Sequence, residues 1–311
     1  MLIDAMVLVG LGVVALVLPL SSGFRTWQVD DLARRVGAGV RPGLRPVLEI
    51  KLARRTRGVG VGILLGGVVL LLLALLWPGE PPLDGGGWLV ISGVLVLGAG
   101  GTVVAELRRP GVPGEGPRAA RTHAPGFSDY VPRQAVRLTG GLVLVGLLTL
   151  LGTLLLGGSR WFSAEVLWRS PVPVLVVALV VLTLLTWWAA RRVLDAPQPA
   201  ADETELYWQD ALRAHTLNGL LLPLALVALL GFSVCGAVLD DAASRVAAEA
   251  GQVGPAWTMA LLVAGYAVPF AIIVTLLVTS PWWARPQARE SERFATRLWQ
   301  GRSADDLEAR V

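Results

Sequence analysis

Seven stretches of about 20 residues, each almost free of charge, run through this chain of 311 residues. A helix needs about 20 apolar residues to cross the hydrocarbon core of a bilayer, which is roughly 30 Å thick. Inside lipid, backbone N–H and C=O groups must bond within their own segment, and these continuous Leu, Val and Gly runs lack the alternation of barrel strands. The sequence therefore predicts an all-α fold, a polytopic membrane helix bundle with seven transmembrane helices.

The predicted spans divide the chain into a membrane part and a tail. The bundle covers residues 1–279, with spans at about 3–22, 58–77, 87–106, 138–157, 171–190, 218–239 and 256–279, and residues 280–311 form a cytoplasmic amphipathic tail. Segments shorter than about 40 residues rarely bury enough surface to fold alone, and every polar segment here is shorter than that. We therefore expect no independent soluble catalytic or nucleotide-binding domain.

Composition excludes several classes of protein. Apolar residues make up 54% of the chain and charged residues 16%, whereas about a quarter of an ordinary soluble domain is charged. This excludes a soluble enzyme, a nucleic-acid-binding protein, a disulfide-stapled secreted domain and a disordered tail protein. We attribute the net charge of +4 to membrane topology and to contact with anionic lipid headgroups, and expect no nucleic acid as a partner.

Basic residues set the orientation of the predicted bundle, because Lys and Arg in short loops stay on the cytoplasmic side. Of the 27 Lys and Arg residues, 24 lie in segments 23–57, 107–137 and 191–217 and in the tail, and three lie in the alternate loops. The N-terminus is therefore predicted outside and the C-terminus inside. The excess of Arg over a single Lys is typical of high-GC bacteria, which predicts a multi-pass protein of the bacterial cytoplasmic (inner) membrane.

A spacing of 80 residues occurs twice, because spans two, four and six begin near residues 58, 138 and 218. Local features recur at a similar spacing: Arg133 and Arg213 precede apolar runs, and Asp129 and Asp210 lie shortly before them. The pattern suggests one helix followed by three related hairpins in the same orientation. Similar loop lengths would also give similar spacings, so duplication and coincidence both stay open.

Ionisable residues inside a span usually mark a function, and the predicted spans hold only two, near helix ends: Asp4 and Glu106. Lys51, the single lysine, is predicted in a loop, which excludes a retinal Schiff base. His123 and His215 are predicted in cytoplasmic segments, so neither reaches a haem at membrane depth. Cys235 is the only cysteine, which excludes a cysteine-based zinc site. We predict no catalytic residue, cofactor or metal ligand.

Small residues at four-residue spacing let transmembrane helices approach closely. The spacing occurs in spans two, six and seven, at Gly62 and Gly66, Gly231 and Cys235, and Ala256, Ala260 and Ala264. We expect all three faces at the centre of the bundle.

Two prolines fall inside predicted spans six and seven. Proline removes a helical hydrogen bond and tends to kink the helix, and kinked helices can bound a cavity. The predicted cavity lining consists of these prolines and nearby polar residues: Tyr266, Pro269, Thr275, Ser233, Thr258 and Pro223. The alternative is that the kinks are plain architecture.

Two amphipathic stretches on the cytoplasmic side could bind a soluble partner. One covers 203–218, and the other lies in the tail, where Ser303 and Asp306 resemble a helix N-cap with an acid three residues later. The predicted partner contacts are Tyr207, Trp208, Asp210, Arg213, Phe294 and Leu298. The expected partner is a soluble ATPase or another protein subunit. Alternatively, both stretches lie on the membrane surface.

Three functions compete. The first is a non-catalytic membrane scaffold or regulatory subunit of a larger complex. The second is a permease-like transport protein, or a subunit of an ABC-type transporter, for an apolar or amphipathic solute. The third, a membrane-embedded lipid-modifying enzyme, has in its favour only Asp240 and Asp241, which follow span six, and scattered arginines.

Overall fold

The computed structural model describes residues 2–76, 87–107, 125–196, 200, 202–279 and 289–308. These residues form helices and contain no strand, which confirms the predicted all-α class. The helices are α1 (Leu2–Val17, continued by a 3-10 turn over Leu18–Leu20), α2 (Ser22–Val36), α3 (Arg45–Leu76), α4 (Gly87–Leu107), α5 (Phe127–Tyr130), α6 (Arg133–Leu155), α7 (Ala164–Arg169), α8 (Val172–Asp195), α9 (Glu203–Glu249), α10 (Ala256–Thr279), α11 (Arg289–Trp299) and α12 (Ala304–Glu308).

Five of the described helices are long and apolar enough to cross a membrane: α1 with its 3-10 turn, α3, α6, α8 and α9. Helices α4 and α10 contain shorter apolar stretches, Val96–Ala105 and Ala256–Ile272. Several long apolar helices are consistent with a membrane protein. Each of the seven predicted spans falls on one of these helices, but α3 and α9 are much longer than predicted. Both begin more than ten residues before the predicted membrane entry.

Glycines bring α1, α3 and α4 together. A Cβ at Gly62 would collide with the backbone of Leu97, and a Cβ at Gly101 would collide with the backbone of Gly58. On the other side of α3, Gly60 and Gly67 pack directly on the backbone of α1. The glycine face of the second span, which was expected at the centre of the bundle, therefore packs against α4.

The second group of helices, α6, α8 and α9, packs around buried aliphatic residues such as Leu150, Leu179 and Val227. Gly146 of α6 lies against Ala228 of α9, and Gly231 of α9 lies against Leu150 of α6. Helix α4 packs on both α8 and α9 and so joins the two groups.

Helix α10 packs against α9, and one expectation about it is wrong. Its alanine stripe, Ala256, Ala260 and Ala264, is exposed rather than central. The contact is made by glycines instead, because Gly236 of α9 meets the backbone of Leu261 and Gly265 of α10 meets the backbone of Phe232. Glycine lets two helices approach more closely than alanine does, so the positions of the glycines determine where α9 and α10 meet.

At one end of the bundle, short helices from distant parts of the chain build a common core. We call this assembly the basal module; it consists of α2, the first turns of α3, α5, the first turns of α9, α11 and α12. The segments are each short, and together they bury a continuous cluster. Its largest fully buried side chains are Trp208, Tyr130, Tyr207 and Phe294. The tail is thus part of a folded module.

Candidate functional site in the basal module

The first turns of α9 supply the centre of the basal module. The N-cap of α9 is Asp202, whose carboxylate accepts a hydrogen bond from the backbone N–H of Glu205 at 2.7 Å. Acidic residues at this end also suit the helix dipole. Residues 203–217 extend about 22 Å ahead of the predicted span at ~1.5 Å per residue. This extension carries Tyr207, Trp208 and Asp210 into the core.

Asp210 is fully buried and joins three helices. Its Oδ1 accepts a hydrogen bond from the Tyr130 hydroxyl of α5 at 2.8 Å, and its Oδ2 accepts one from Nε1 of Trp299 in α11 at 2.9 Å. A buried carboxylate is costly unless it is hydrogen-bonded. These two bonds therefore make Asp210 the point at which α5, α9 and α11 are held together.

Tyr130 is kept in its protonated form by this environment. Burial is the main cause that raises the pKa of Tyr130, the negative charge of Asp210 raises it further, and Arg213 opposes the shift. The phenol is therefore a hydrogen-bond donor at neutral pH. Arg213 also donates a hydrogen bond to the carbonyl of Ala196, which ties the end of α8 to the start of α9.

The tail docks through aromatic packing and two further hydrogen bonds. The rings of Phe294 and Trp299 lie 5.2 Å and 5.5 Å from the ring of Tyr207. Nε of Arg293 donates to the carbonyl of Ser128 at 3.0 Å. The carboxylate of Asp305 accepts from the backbone N–H of Gly39, also at 3.0 Å.

The turn between α11 and α12 has the predicted cap. Gln300 and Gly301 both have positive φ, at 56° and 81°, so the chain reverses directly after Trp299. Ser303 then accepts from the backbone N–H of Asp306, and the Asp306 carboxylate accepts from the backbone N–H of Ser303. The N-cap predicted at Ser303 is confirmed.

All six predicted partner contacts lie in the basal module. Four are buried: Tyr207, Trp208, Asp210 and Phe294. Arg213 and Leu298 are half-buried. The two amphipathic stretches therefore cover each other, and contact with another protein through these side chains stays a prediction. Sequence reasoning missed Tyr130 and Trp299, although both are aromatic residues with a polar atom beside the chosen segments.

The six predicted cavity-lining residues are not gathered at one place. Tyr266 and Thr275 are exposed on α10, and Thr258 is buried and donates to the carbonyl of Pro255 at 2.8 Å. Pro223 lies near the middle of α9, roughly 24 Å from the level of Thr258 at ~1.5 Å per residue. A solute cavity stays a prediction.

Ser233 and Pro269 are linked through one backbone carbonyl, that of Gly265. Pro269 has no N–H, so the carbonyl of Gly265, four residues earlier, loses its helical donor. The Ser233 hydroxyl of α9 donates to that carbonyl at 2.7 Å. The hydrogen bond that the proline removes within α10 is thus replaced by one between α9 and α10.

The second intrahelical proline has the same spacing. Pro223 leaves the carbonyl of Gly219 without its helical donor, and the guanidinium of Arg55 lies directly against Gly219. Glycine four residues before proline, in both helices, leaves room for a donor from a neighbouring helix. The sequence signal for both contacts is therefore G-x-x-x-P within an apolar span.

The remaining candidate residues have ordinary structural contacts. Asp241 forms an ion pair with Arg245 at 2.8 Å, one turn along the exposed end of α9. Cys235 is buried in the bundle. Across the described parts of the chain, three or more His, Cys, Asp or Glu side chains are nowhere grouped so that they could hold a metal ion.

Comparison with known proteins adds no family to this description. The chain matches no family model, no curated protein and no solved structure.

Proposed function

We propose that this chain is a non-catalytic membrane scaffold or regulatory subunit of a larger complex, with the basal module as the part that holds a partner. The observation that carries the proposal is the pair of hydrogen bonds that Asp210 accepts from Tyr130 and Trp299, which we call the Asp210 hub. It ties α5, α9 and α11 into one folded unit, and α9 continues without interruption from that unit through the bundle. A continuous helix holds the module in a fixed position on the membrane part.

We assign the module to the cytoplasmic side, with seven spans, the N-terminus outside and the C-terminus inside. Two observations support this orientation. Most Lys and Arg residues fall in the predicted cytoplasmic segments, and the described parts of those segments assemble at one end of the bundle. Phe162 and Leu167, from a predicted outer loop, lie in a separate cluster with the end of α9. A bacterial cytoplasmic membrane remains the proposed location.

The organisation as one helix plus three hairpins is a weaker proposal. The residues that recur in the sequence have different surroundings, since Asp129 accepts from the backbone N–H of Gly126 at 2.8 Å while Asp210 is buried in the hub. Similar loop lengths without duplication therefore remain the alternative explanation of the 80-residue spacing.

The test is purification of the full chain from its native membranes in a mild detergent, followed by mass spectrometry of co-purifying proteins. We expect a stoichiometric partner, either a soluble ATPase or another subunit. Trp299→Phe, which keeps the ring and removes the donor to Asp210, should lower partner recovery severalfold. Asp241→Ala, at the far end of α9, is the matched control and should not. Purification of the chain alone, or equal recovery with both variants, would contradict the proposal.

A permease-like transport protein for an apolar or amphipathic solute is the second candidate. The two G-x-x-x-P sites favour it. The carbonyl that Pro269 frees accepts a hydrogen bond from Ser233 of the neighbouring helix, and at the other site the Arg55 guanidinium lies beside Gly219. Such contacts can exchange partners when helices move. Reconstitution in liposomes tests it. Flux of an amphipathic dye that is lost with Ser233→Ala would favour transport. A lipid-modifying enzyme has less support, since Asp241 is already paired with Arg245.

A further inference from the structure

The apolar side chains that the basal module leaves exposed lie on α2 and α3. Trp27, Val47 and Ile50 are 55%, 47% and 58% exposed, whereas the aromatic residues first expected to bind a partner are buried. A partner that binds to the basal module must therefore use a different surface of the module. The first turns of α3 offer one.

One face of α3 combines apolar and basic side chains. Val47, Ile50, Lys51 and Arg54 are spaced i, i+3, i+4 and i+7, which places them on the same side of the helix, and all four are exposed. We call these four residues the α3 docking face. It carries two positive charges and no acidic residue.

The opposite side of α3 is already occupied. Arg45 forms an ion pair with Asp30 of α2 at 2.5 Å, and the Thr56 hydroxyl accepts from Nε2 of Gln28 at 2.8 Å. Leu48 and Leu52 are buried in the core of the module. This packing fixes the rotation of α3 and directs the docking face away from the module.

Depth argues for a protein rather than a lipid occupant. The predicted span starts at residue 58, so Ile50 and Val47 lie about 12 Å and about 16 Å ahead of it at ~1.5 Å per residue. The interfacial layer on each side of a bilayer is roughly 5 to 8 Å thick, and a typical tilt of about 20° changes these distances little. Trp27 differs, because it stacks on Phe24 at 5.8 Å shortly after α1 and suits the headgroup layer.

Charge argues against a second copy of this chain. In a symmetric dimer through this face, the Lys51 and Arg54 side chains of both copies would share one interface, and like charges brought together there are unfavourable. A partner with acidic side chains beside an apolar stripe is complementary instead. A single exposed helix face of two turns pairs most simply with another helix.

We propose that the α3 docking face binds an amphipathic helix of a partner protein, which covers Val47 and Ile50 with apolar side chains and pairs Asp or Glu with Lys51 and Arg54. This inference rests on the proposed scaffold function and names the chemistry of its partner.

The first experiment measures depth without any partner. The full chain, with Cys235→Ala and one new cysteine, is labelled with a fluorophore in nanodiscs of mixed phosphatidylethanolamine and phosphatidylglycerol that contain chain-brominated lipid. A label at Ile50→Cys should be unquenched, whereas a label at Val61→Cys, on the same side of α3 within the predicted span, should be quenched. Equal quenching at both sites would make the membrane the occupant and overturn the proposal.

The second experiment identifies the occupant. Ile50→Cys, carrying a thiol-linked benzophenone, is photolysed in native membranes, and the adduct is digested and sequenced. We expect a peptide with an acidic amphipathic helical pattern, and about a tenfold lower yield when Lys51→Glu and Arg54→Glu are combined. The matched control combines Arg34→Glu and Arg297→Glu, two exposed arginines elsewhere on the module, and should keep the yield.

The outcomes separate this proposal from the scaffold function. If a stoichiometric partner co-purifies but is absent from the adduct, the docking face is wrong and the scaffold function stands. An adduct to lipid, to a second copy of this chain, or to a peptide without acidic residues would overturn the proposal. So would an adduct whose yield is insensitive to the Lys51 and Arg54 reversals. If neither partner nor protein adduct is found, both proposals fail.

Discussion

Asp210 carries a carboxylate into the centre of the basal module, and the donors around it decide whether that burial is stable. Both of its oxygens accept from neutral side chains, Tyr130 and Trp299. A buried hydrogen-bonding group that loses its partner keeps the cost of having left water. The module is therefore sensitive to single changes at this residue.

Asp210→Ala should destabilise the module strongly. The substitution leaves a buried hydroxyl and a buried indole N–H without an acceptor, each at a cost of about 1 to 3 kcal/mol. We expect faster cleavage within 289–308 by a protease added to detergent-solubilised protein, and a lower melting temperature. Asp241→Ala removes only an exposed ion pair, worth less than about 1 kcal/mol, and serves as control. Equal protease resistance of the Asp210 variant and the wild type would contradict the hub.

The raised pKa of Tyr130 gives stability a dependence on alkaline pH. Its value in the folded chain lies above the ordinary value near 10, so its contribution is complete below about pH 10 and is lost as pH rises further. The melting temperature of the wild type should therefore fall as the pH rises above about 10. Tyr130→Phe should be less stable at neutral pH and show a smaller fall. An identical dependence of melting temperature on pH in the two proteins would exclude Tyr130 as the titrating group.

At the scale of helices, the seam between α9 and α10 depends on glycine rather than on apolar character. A Cβ at Gly265 would lie 2.9 Å from the backbone oxygen of Phe232, and one at Gly236 would lie 2.7 Å from that of Leu261. Packing at this distance brings the backbones together and lets Ser233 reach the carbonyl that Pro269 frees. Van der Waals contact and interhelical hydrogen bonds are the main forces between helices in lipid.

Gly265→Val should separate α10 from α9. The new side chain would push the helices apart and break the Ser233 hydrogen bond, and overpacking of this kind costs about 1 to 3 kcal/mol. We expect a lower melting temperature in detergent. Ala264→Val, one residue earlier on the exposed side of α10, adds a bulky side chain without a neighbour and should change little. A similar decrease in melting temperature in both variants would mean that the lower helix propensity of valine, and not packing between the helices, causes the effect.

At the scale of the whole molecule, the chain couples a membrane bundle to a module built from four separated segments. The module has no continuous sequence of its own, because the spans interrupt it and return its pieces to the same end. Assembly of the module therefore requires the bundle. The tail is the segment of the module that comes last in the sequence.

Removal of the tail contact should loosen the module but leave the bundle intact. Combined Phe294→Ala and Trp299→Ala deletes the rings that pack on Tyr207, which we expect to cost several kcal/mol. Hydrogen–deuterium exchange should rise in 127–130 and 203–217 and stay unchanged in 140–155. Leu144→Ala with Leu148→Ala, both exposed on α6, is the control pair. Unchanged exchange in 203–217 would mean that the tail does not hold the module.

Much of the helical framework followed from the sequence alone. A long uncharged run has one favourable backbone conformation in lipid, so the prediction for α10 matches the helix and that for α4 differs by one residue. Helix α3 was predicted too short, and in α9 the amphipathic stretch 203–218 and the span 218–239 were predicted as separate parts of what is one helix. The additional turns of α3 carry polar residues such as Arg45, and hydropathy does not distinguish a polar helix from a polar loop.

The sequence by itself determined the all-α class, the places of the apolar helices and the existence of amphipathic faces at 203–217 and in the tail, because hydrophobic period and length are local properties. The tertiary structure alone decided what those faces touch. An amphipathic pattern shows that one side is buried, but not whether a membrane, a partner or another part of the same chain covers it. Here Tyr207 and Asp210 meet Trp299, 89 residues after Asp210, and that pairing is a property of the folded chain.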